Sequence, residues 1–522
     1  MLPQLMPSSM TENHKQFNPD QLISRIKSCL DLTLDSNTIQ PGDVFVAIPG
    51  TQKHGLVYAR QAIEHGASAI IFDPAEGGHA LALELAGDST ISISLMEQPH
   101  LKDHIGLLAS SFYQHPSHNL NVIGITGTNG KTSCSHFIAQ ALSALRDQGI
   151  VQKDCGYIGT LGWGGAGKNQ PTMNTTPDAI ALHRMLAALK QQGVGSVAME
   201  VSSHGLSQNR IQSIRMTGAV FTNLGRDHLD YHQSVTRYLD AKLELFRSTE
   251  LAFAIINQDD SAANAVADVL DNSVRVIGFS LRSTNHLSAD KLTIANTLYH
   301  QNFTSFDICY RGQSLQAKLP LIGEFNVANA LATVGVLLGL GIDFKHAVYA
   351  LQYLTPVAGR MEKISTHSDN TAVYVDYAHT PDALEIALNT IKQCCAGKIW
   401  LVFGCGGNRD QGKRKQMGQI ASRLADYSII TDDNPRDEDG ETIINQIVSG
   451  CSKQPAHIIR DRNLAIQTAI LSASPNDTVL IAGKGHETTQ EINGLTISCD
   501  DRQIAKAILE KNQPTHSSST EQ

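Results

Sequence analysis

The run at 121–133, Asn-Val-Ile-Gly-Ile-Thr-Gly-Thr-Asn-Gly-Lys-Thr-Ser, constrains the fold more than any other stretch of the chain. A short apolar strand carrying Val122, Ile123 and Ile125 enters a glycine-rich loop, and a helix-like stretch follows Lys131 and Thr132. Glycines let such a loop fold back and aim several backbone N–H groups at one spot. The helix N-terminus adds positive potential, the lysine a mobile charge and the hydroxyl a magnesium ligand. Gly127, Thr128, Asn129, Gly130, Lys131, Thr132 and Ser133 are therefore expected to cradle nucleotide phosphates. The run departs from the usual eight-residue loop, since Ile125 stands at its first glycine position. A plain glycine-rich turn before a helix is the competing reading.

A chain of 522 residues holds about three domains at roughly 150 residues each. The composition, 41% hydrophobic and 5% aromatic, suits an α/β enzyme with ample core. A net charge of −9 argues against nucleic-acid and anionic-membrane partners, so an anionic substrate must meet local cations. The nine cysteines show no paired CxxC spacing, and the N-terminal residues form no basic-then-apolar export signal. Reduced thiols in a cytoplasm are expected. The longest apolar stretch, 330–342, is too short to span a bilayer and reads as a buried helix.

Polar tails are expected at 1–16 and 512–522, a hinge at His115-Pro116-Ser117 and a break at 355–359. They bound three α/β blocks: 1–116, 117–355 and 356–522. Strands are expected at 44–48 and 69–72 in the first. In the second, strands at 196–201, 219–223 and 252–257 alternate with helices, the pattern of a mainly parallel sheet. In the third, strands at 372–376, 399–403, 427–431 and 478–482 each run into a polar or glycine-rich loop. Ligands of open α/β sheets sit beyond the carboxyl ends of the strands, so these four loops are expected to share one crevice.

Single residues leave alternatives open. Glu200 and His228 end strands where magnesium beside the phosphates could use them, yet either alone could be a structural hydrogen-bonder. On a helix through 235–246, Lys242 shares a face with Val235, Tyr238, Leu239 and Phe246. An ammonium there must snorkel from the flank, find a partner or be altered, for example to a carbamate with CO2. Asn174-Thr175-Thr176 either orients a substrate or caps the next helix. Asn326 and Asn329, three apart on one helical face, either meet a nucleotide base or bond locally to backbone. His204 and Cys405 read as structural.

Gly-Thr-Asn-Gly-Lys-Thr, the Glu200 segment, Asp227-His228, Gly323-Glu-Phe-Asn326-Val-Ala-Asn329 and Tyr377-Ala-His-Thr-Pro-Asp382 occur in that order. In this the chain resembles the Mur ligase family, ATP-dependent enzymes that build the peptide stem of bacterial peptidoglycan. The resemblance implies an N-terminal uridine-binding domain, a central phosphate-loop ATPase domain with a mainly parallel sheet, and a Rossmann-like C-terminal domain. Asp433-Asn434-Pro435-Arg436 resembles the members that add meso-diaminopimelate. The implied reaction joins that amino acid to the D-glutamate γ-carboxylate of UDP-N-acetylmuramoyl-L-Ala-D-Glu through an acyl phosphate. An arginine fork suits the substrate's distal carboxylate, whereas a lysine substrate would leave it unpaired.

The resemblance also implies site roles. Lys131 holds the ATP phosphates and Thr132 a magnesium ion; Glu200, His228 and Lys242 as its carbamate hold a second. Asn326, Asn329, Arg360, Asp376 and His379 lie near the nucleotide. Leu34, Ser36 and Gln52 meet the uridine; Asn174, Thr175, Thr176, Ser202, Gln208 and Arg210 hold the muramoyl-dipeptide. Arg409, Asp433, Asn434, Pro435, Arg436, Gly483 and Glu487 receive diaminopimelate, with Glu487 on an ammonium. Three departures stand out: Asn37 where arginine is common, Thr51-Gln-Lys-His54-Gly55 for a more usual His-Gln-x-Asp-Gly, and Asn408 for aspartate. A monomer acting on small molecules, without membrane insertion, is expected. The rivals are a lysine-adding or folylpolyglutamate-type ligase and, from another class, a nucleotide-dependent switch.

Overall fold

A computed structural model describes residues 17–511, apart from 27–28, 51, 166–167, 283–289, 301 and 365–370. The tails expected at 1–16 and 512–522, and Thr51, lie outside the described residues. Two compact units form: Met1–Gly124 with Gly156–Thr217, and Ile125–Cys155 with Gly218–Gln522.

In the first unit, strands Leu32–Thr33, Val44–Ala47, Ala69–Phe72 and Ser94–Glu97 pair in sequence order, all parallel. The middle pair is buried on both faces because helices cover both, as parallel sheets require. One face packs Leu22, Val44, Val46, Ile71 and Leu108; the other packs Phe45, Ile70, Phe72, Leu56 and Leu85. Ser196–Glu200 is a fully buried strand in this unit. The antiparallel strands Cys155–Gly159 (from Gly156 on), Gly162–Gly165 and Lys168–Gln170, which show no clear alternation in the sequence, also belong to it. The segment His115-Pro116-Ser117, where a hinge is expected, leads into a short 3-10 turn, Pro116–Asn119. Pro116 and Ser117 are buried in it, and Ser117 Oγ accepts from Arg215 N at 3.1 Å.

In the second unit, strands Gly218–Phe221, Phe253–Asn257 and Arg275–Ser280 run parallel. Helices Lys131–Asp147 and Glu324–Gly339 pack on each other there. Of the 330–342 stretch, 330–338 is buried in the latter helix; the helix ends at Gly339, and 340–342 form the turn that follows. Lys291–Tyr299, Thr304–Tyr310 and Gln313–Leu319 continue as an antiparallel meander beyond the reach of the βαβ pattern.

The same unit holds a six-stranded sheet. Its order is Glu362–Ile364, Ala372–Asp376, Thr478–Ala482, Ile399–Phe403, Tyr427–Ile430, His457–Ile458, and only the first strand is antiparallel. The four expected strands are its centre. Registers Asp376↔Ala482, Val402↔Ile481 and Phe403↔Ile430 bring their carboxyl ends to one edge. Among the described residues, no helix is long and apolar enough to cross a membrane, and all nine cysteines are free thiols.

Candidate active site

The phosphate loop is built around two left-handed or extended glycines, Gly127 (φ 150°) and Gly130 (φ 89°). A Cβ on Gly127 would meet Thr222 Oγ1 at 1.9 Å, and one on Gly130 would meet Asn329 Oδ1 at 2.7 Å, so both positions demand glycine. The next strand's end clamps the loop. Asn223 O accepts from Thr128 N at 2.9 Å, Asn223 Oδ1 from Asn129 N at 2.9 Å, and Thr222 Oγ1 donates to Asn129 O at 2.6 Å. Lys131 Nζ donates to Gly127 O and Thr128 O at 2.7 and 2.9 Å, which sets its charge over the loop. Arg360 reaches Thr132 Oγ1 at 3.3 Å while its guanidinium lies 4.5 Å from the Tyr377 ring centroid. The two asparagines divide their roles. Asn326 Nδ2 bonds locally to Ile322 O at 2.8 Å, whereas Asn329 backs onto the loop.

Lys242 is buried, as its helical spacing implied, but the helix is Val235–Leu243 and Val235 is exposed. The apolar face is thus narrower than the sequence suggested, because the helix starts at its Ser234 cap on the surface. Burial, and next the Lys131 ammonium, push the Lys242 amine well below the ordinary lysine value; Asp227 pulls the other way. A neutral amine attacks CO2, with nitrogen losing a proton as the N–C bond forms, so this setting suits a carbamate. Asp227 is a residue that sequence reasoning left without a role. Burial pushes its carboxyl up, but His228, His379 and Lys131 together hold it below the usual range. His228 takes a left-handed turn (φ 53°) that places Nε2 3.4 Å from Asp227 Oδ2. Among the described residues, no three His, Cys, Asp or Glu side chains gather as a ready metal site. A hard cation here would need other oxygens, such as the Thr132 hydroxyl, phosphate or a carbamate.

In the first unit, Glu200 ends its strand with a buried carboxylate that accepts from Thr160 N at 2.9 Å and Thr160 Oγ1 at 3.1 Å. Thr160 Oγ1 in turn lies 3.0 Å from Thr175 Oγ1. Thr176 does not cap the next helix; Asp178 does, accepting from Ala181 N. The Thr176 hydroxyl instead donates to Glu200 O and accepts from Ser202 N, both at 2.9 Å, and its carbonyl accepts from Arg210 at 2.6 Å. Gln208 Oε1 takes two further bonds from Arg210. Thr175, Thr176, Glu200, Ser202, Gln208 and Arg210 therefore form one network, with Asn174 exposed beside it. In the loops that follow the first two strands of the parallel sheet, Ser36 is buried and donates to Gln61 Oε1 at 2.9 Å, Leu34 is half-buried and Gln52 exposed. Asn37 accepts from Gln61, and the buried His54 links Asp73 O to Leu56 N.

The four third-block loops meet at the sheet edge, and two of their expected ligands already have charged partners within the chain. Glu487 already faces an ammonium within the chain, because the buried Lys484 reaches its Oε2 at 2.9 Å. Lys484 also donates to Asn434 Oδ1 and Thr489 O. Burial pushes the Glu487 carboxyl up, but Lys484 and Asn434 bring it below the usual range. Arg436 would not stand unpaired without a substrate carboxylate, because its Nε lies 2.9 Å from Glu491 Oε2. Asp433 is buried against Gly483, where a Cβ would come within 2.7 Å of Oδ2 at a φ of 115°. Arg409 is exposed and Pro435 buried. Asp376 accepts from Met361 N and Ala378 N; burial raises its carboxyl, with Arg360 opposing. His379 Nδ1 lies 2.8 Å from Tyr377 O, and burial lowers its ring below the usual histidine value.

Two buried arginines that no motif singled out brace these loops. Arg414 forks onto Glu438 at 2.9 and 3.0 Å and donates to Gly406 O. Arg462 pairs with Asp501 at 2.7 Å and holds Ala482 O at 3.0 Å.

Three family models match the chain: "Mur ligase family, catalytic domain" at 31–98, "Mur ligase middle domain" at 125–337 and "Mur ligase, glutamate ligase domain" at 359–485. A curated protein of Alkalilimnicola ehrlichii, named UDP-N-acetylmuramoyl-L-alanyl-D-glutamate--2,6-diaminopimelate ligase, is 42% identical over 92% of this chain and 94% of its own. A protein of the same name from Coxiella burnetii is 39% identical over 95% and 97%. A solved structure of a ligase of that name is 34% identical, with a TM-score of 0.63 over 92% of this chain and 95% of that one.

Proposed function

The chain belongs to the Mur ligase family, and from that premise we propose that it adds meso-2,6-diaminopimelate to the D-Glu γ-carboxylate of UDP-N-acetylmuramoyl-L-Ala-D-Glu, with ATP. The observation that carries this reading is full-length likeness to curated ligases of that name. The blocks 1–116, 117–355 and 356–522 are kept as the domain division.

The γ-carboxylate attacks the γ-phosphorus of ATP, forming an acyl phosphate and releasing ADP. The neutral amine of diaminopimelate then attacks the acyl carbon. The attacking nitrogen gives up a proton to the departing phosphate or to solvent, the tetrahedral adduct expels phosphate, and the amide remains. The chain's work is positioning and electrostatics. Lys131 and the loop N–H groups hold the phosphates. Arg360, seated on Tyr377, lies at Thr132 and adds positive charge at the loop. Asn329 backs the loop, and Asp376 fixes the backbone around Arg360. Magnesium, when bound, neutralises charge developing on the phosphoryl oxygens. Thr132 is the proposed ligand of one magnesium ion; Glu200, His228 and the Lys242 carbamate are proposed to hold a second. The Thr160–Arg210 network is assigned to the muramoyl-dipeptide, and the Ser36 and Gln52 region to uridine. Asp433, Asn434, Arg436 and Glu487 are assigned to diaminopimelate. Both described bonds to Glu487 end on Oε2, which leaves Oε1 to take an ammonium of the amino acid.

The test is amine-dependent ADP release by purified protein supplied with the muramoyl-dipeptide, ATP and a panel of acceptors. Release is expected with meso-diaminopimelate and far less with L-lysine. Release independent of any amine would favour the switch reading and overturn this one.

A further inference from the structure

We propose that Glu491 is a built-in counter-ion that competes with the substrate's distal carboxylate for Arg436, and so sets how sharply the acceptor pocket tells diaminopimelate from lysine. The inference rests on the assignment of the third-block loops to diaminopimelate and goes beyond it. Arg436 takes a left-handed backbone conformation (φ 54°) and is held from both sides. Its N donates to Glu491 O at 3.0 Å, and its carbonyl accepts from Asn493 N at 2.8 Å. Glu491 N donates to Asn434 Oδ1 at 3.0 Å. In these bonds the hairpin Thr489–Ile492 and Leu495–Ser498 and the turn between its strands contribute only backbone atoms, so a change of the 491 side chain leaves them in place.

The side chains are arranged differently. Arg436 Nη1 donates to Gly407 O at 2.9 Å, which commits that end of the guanidinium. Two parallel bonds to an incoming carboxylate are then best made along the Nε–Nη2 edge. Glu491 Oε2 occupies that edge at 2.9 Å from Nε. The Glu491 side chain is 52% exposed against 23% for Arg436, so the glutamate is the partner able to swing away. Two carboxylates cannot share one edge without repulsion, so substrate must displace Glu491. The converse matters equally. With Glu491 present the arginine is paired even when the acceptor has no distal carboxylate, which relieves the penalty that would otherwise reject lysine.

Steady-state kinetics of Glu491→Gln test this, with meso-diaminopimelate and L-lysine as acceptors and ATP varied separately. The KM for diaminopimelate is expected to fall about two- to fivefold, the range set by a half-exposed ion pair. The KM for ATP should stay unchanged, and the diaminopimelate-to-lysine ratio of kcat/KM should rise. A raised or unchanged KM for diaminopimelate, or an equal change for ATP, overturns the proposal. Glu491→Ala must move the same constants in the same direction and stands in should the glutamine variant fold poorly. Wild-type protein without diaminopimelate-dependent turnover would remove the function itself. An active wild type with an indifferent variant removes only the counter-ion.

Discussion

Lys242 Nζ sits 4.2 Å from the centroid of the Tyr238 ring, and that tyrosine's hydroxyl lies 3.2 Å from Thr128 Oγ1 in the phosphate loop. One tyrosine thus separates the buried amine from the glycine-rich loop. Unfolded lysine takes up a proton below about pH 10.4, while the folded amine stays neutral until its own, much lower value. The folded state therefore loses stability as pH falls from the ordinary lysine value to the lowered one. Lys242→Met should raise the melting temperature at neutral pH, by about 2–4 °C for each kcal/mol recovered, and should abolish turnover. Bicarbonate should stabilise the wild type and not the variant, as a ligand of the folded amine does. Scanning calorimetry in CO2-free and bicarbonate buffers checks both. Equal responses would remove the carbamate.

Gly359 has a left-handed φ of 64°, and a Cβ there would lie 2.2 Å from Gly485 C. Gly312 has a similar φ of 78° but open space around it. Alanine at 312 should cost only the backbone strain, roughly 1 kcal/mol. Alanine at 359 adds a collision with backbone that no rotamer relieves, and should cost more than about 3 kcal/mol. Urea titration of the two variants separates strain from crowding.

The contrast explains what the chain's letters revealed. The phosphate loop was legible because its chemistry is local: strand, glycines and Lys-Thr lie within one short segment. The four central strands of the third block were legible because buried parallel strands read as unbroken apolar runs. Lys242 was found by helical spacing. The Thr176 brace was not legible, because its partners Ser202 and Glu200 come from another strand's end. Lys484 and Glu491 were hidden for a related reason. Polar residues in a suspected ligand loop look like ligands, and only the fold shows which of them neutralise one another. The meander at 291–319 lacked the helix alternation that marked its neighbours.

Arg462 and Asp501 form an ion pair in which both side chains are at most 1% exposed. Arg462→Met leaves a buried carboxylate alone and should cost about 3–5 kcal/mol. Arg462→Met with Asp501→Leu removes both charges and should recover at least half of that loss. A double variant no more stable than the single would show that the bond to Ala482 O, rather than the pair, is the brace. Denaturant midpoints at constant slope give the comparison.

One buried and one half-buried histidine predict the acid limb of the stability curve. Burial lowers His183 and His486 to about 4. Both states are neutral there above about pH 6.5. As pH falls from 6.5 toward 4 only the unfolded chain takes up the protons, so stability falls across that window and levels below it. His183 is fully buried, and its share is on the order of 1–3 kcal/mol. His183→Gln should flatten the slope between pH 6.5 and 4 without changing that above pH 7. Melting temperature against pH for both proteins decides it.

Arg436 carries the strictest expectation, because two independent interactions hold it: Gly407 O at Nη1 and Glu491 at Nε. Arg436→Ala should raise the KM for diaminopimelate about ten- to a hundredfold, the worth of hydrogen bonds between charged groups, with the KM for ATP within about twofold. Glu491→Gln acts only through this arginine. Placed on the Arg436→Ala background it should therefore lose its effect on the KM for diaminopimelate. Such non-additivity is the signature of two side chains sharing one interaction. If Glu491→Gln still lowers that KM without Arg436, the glutamate repels the substrate by itself, and the pairing seen in the fold has no bearing on acceptor choice.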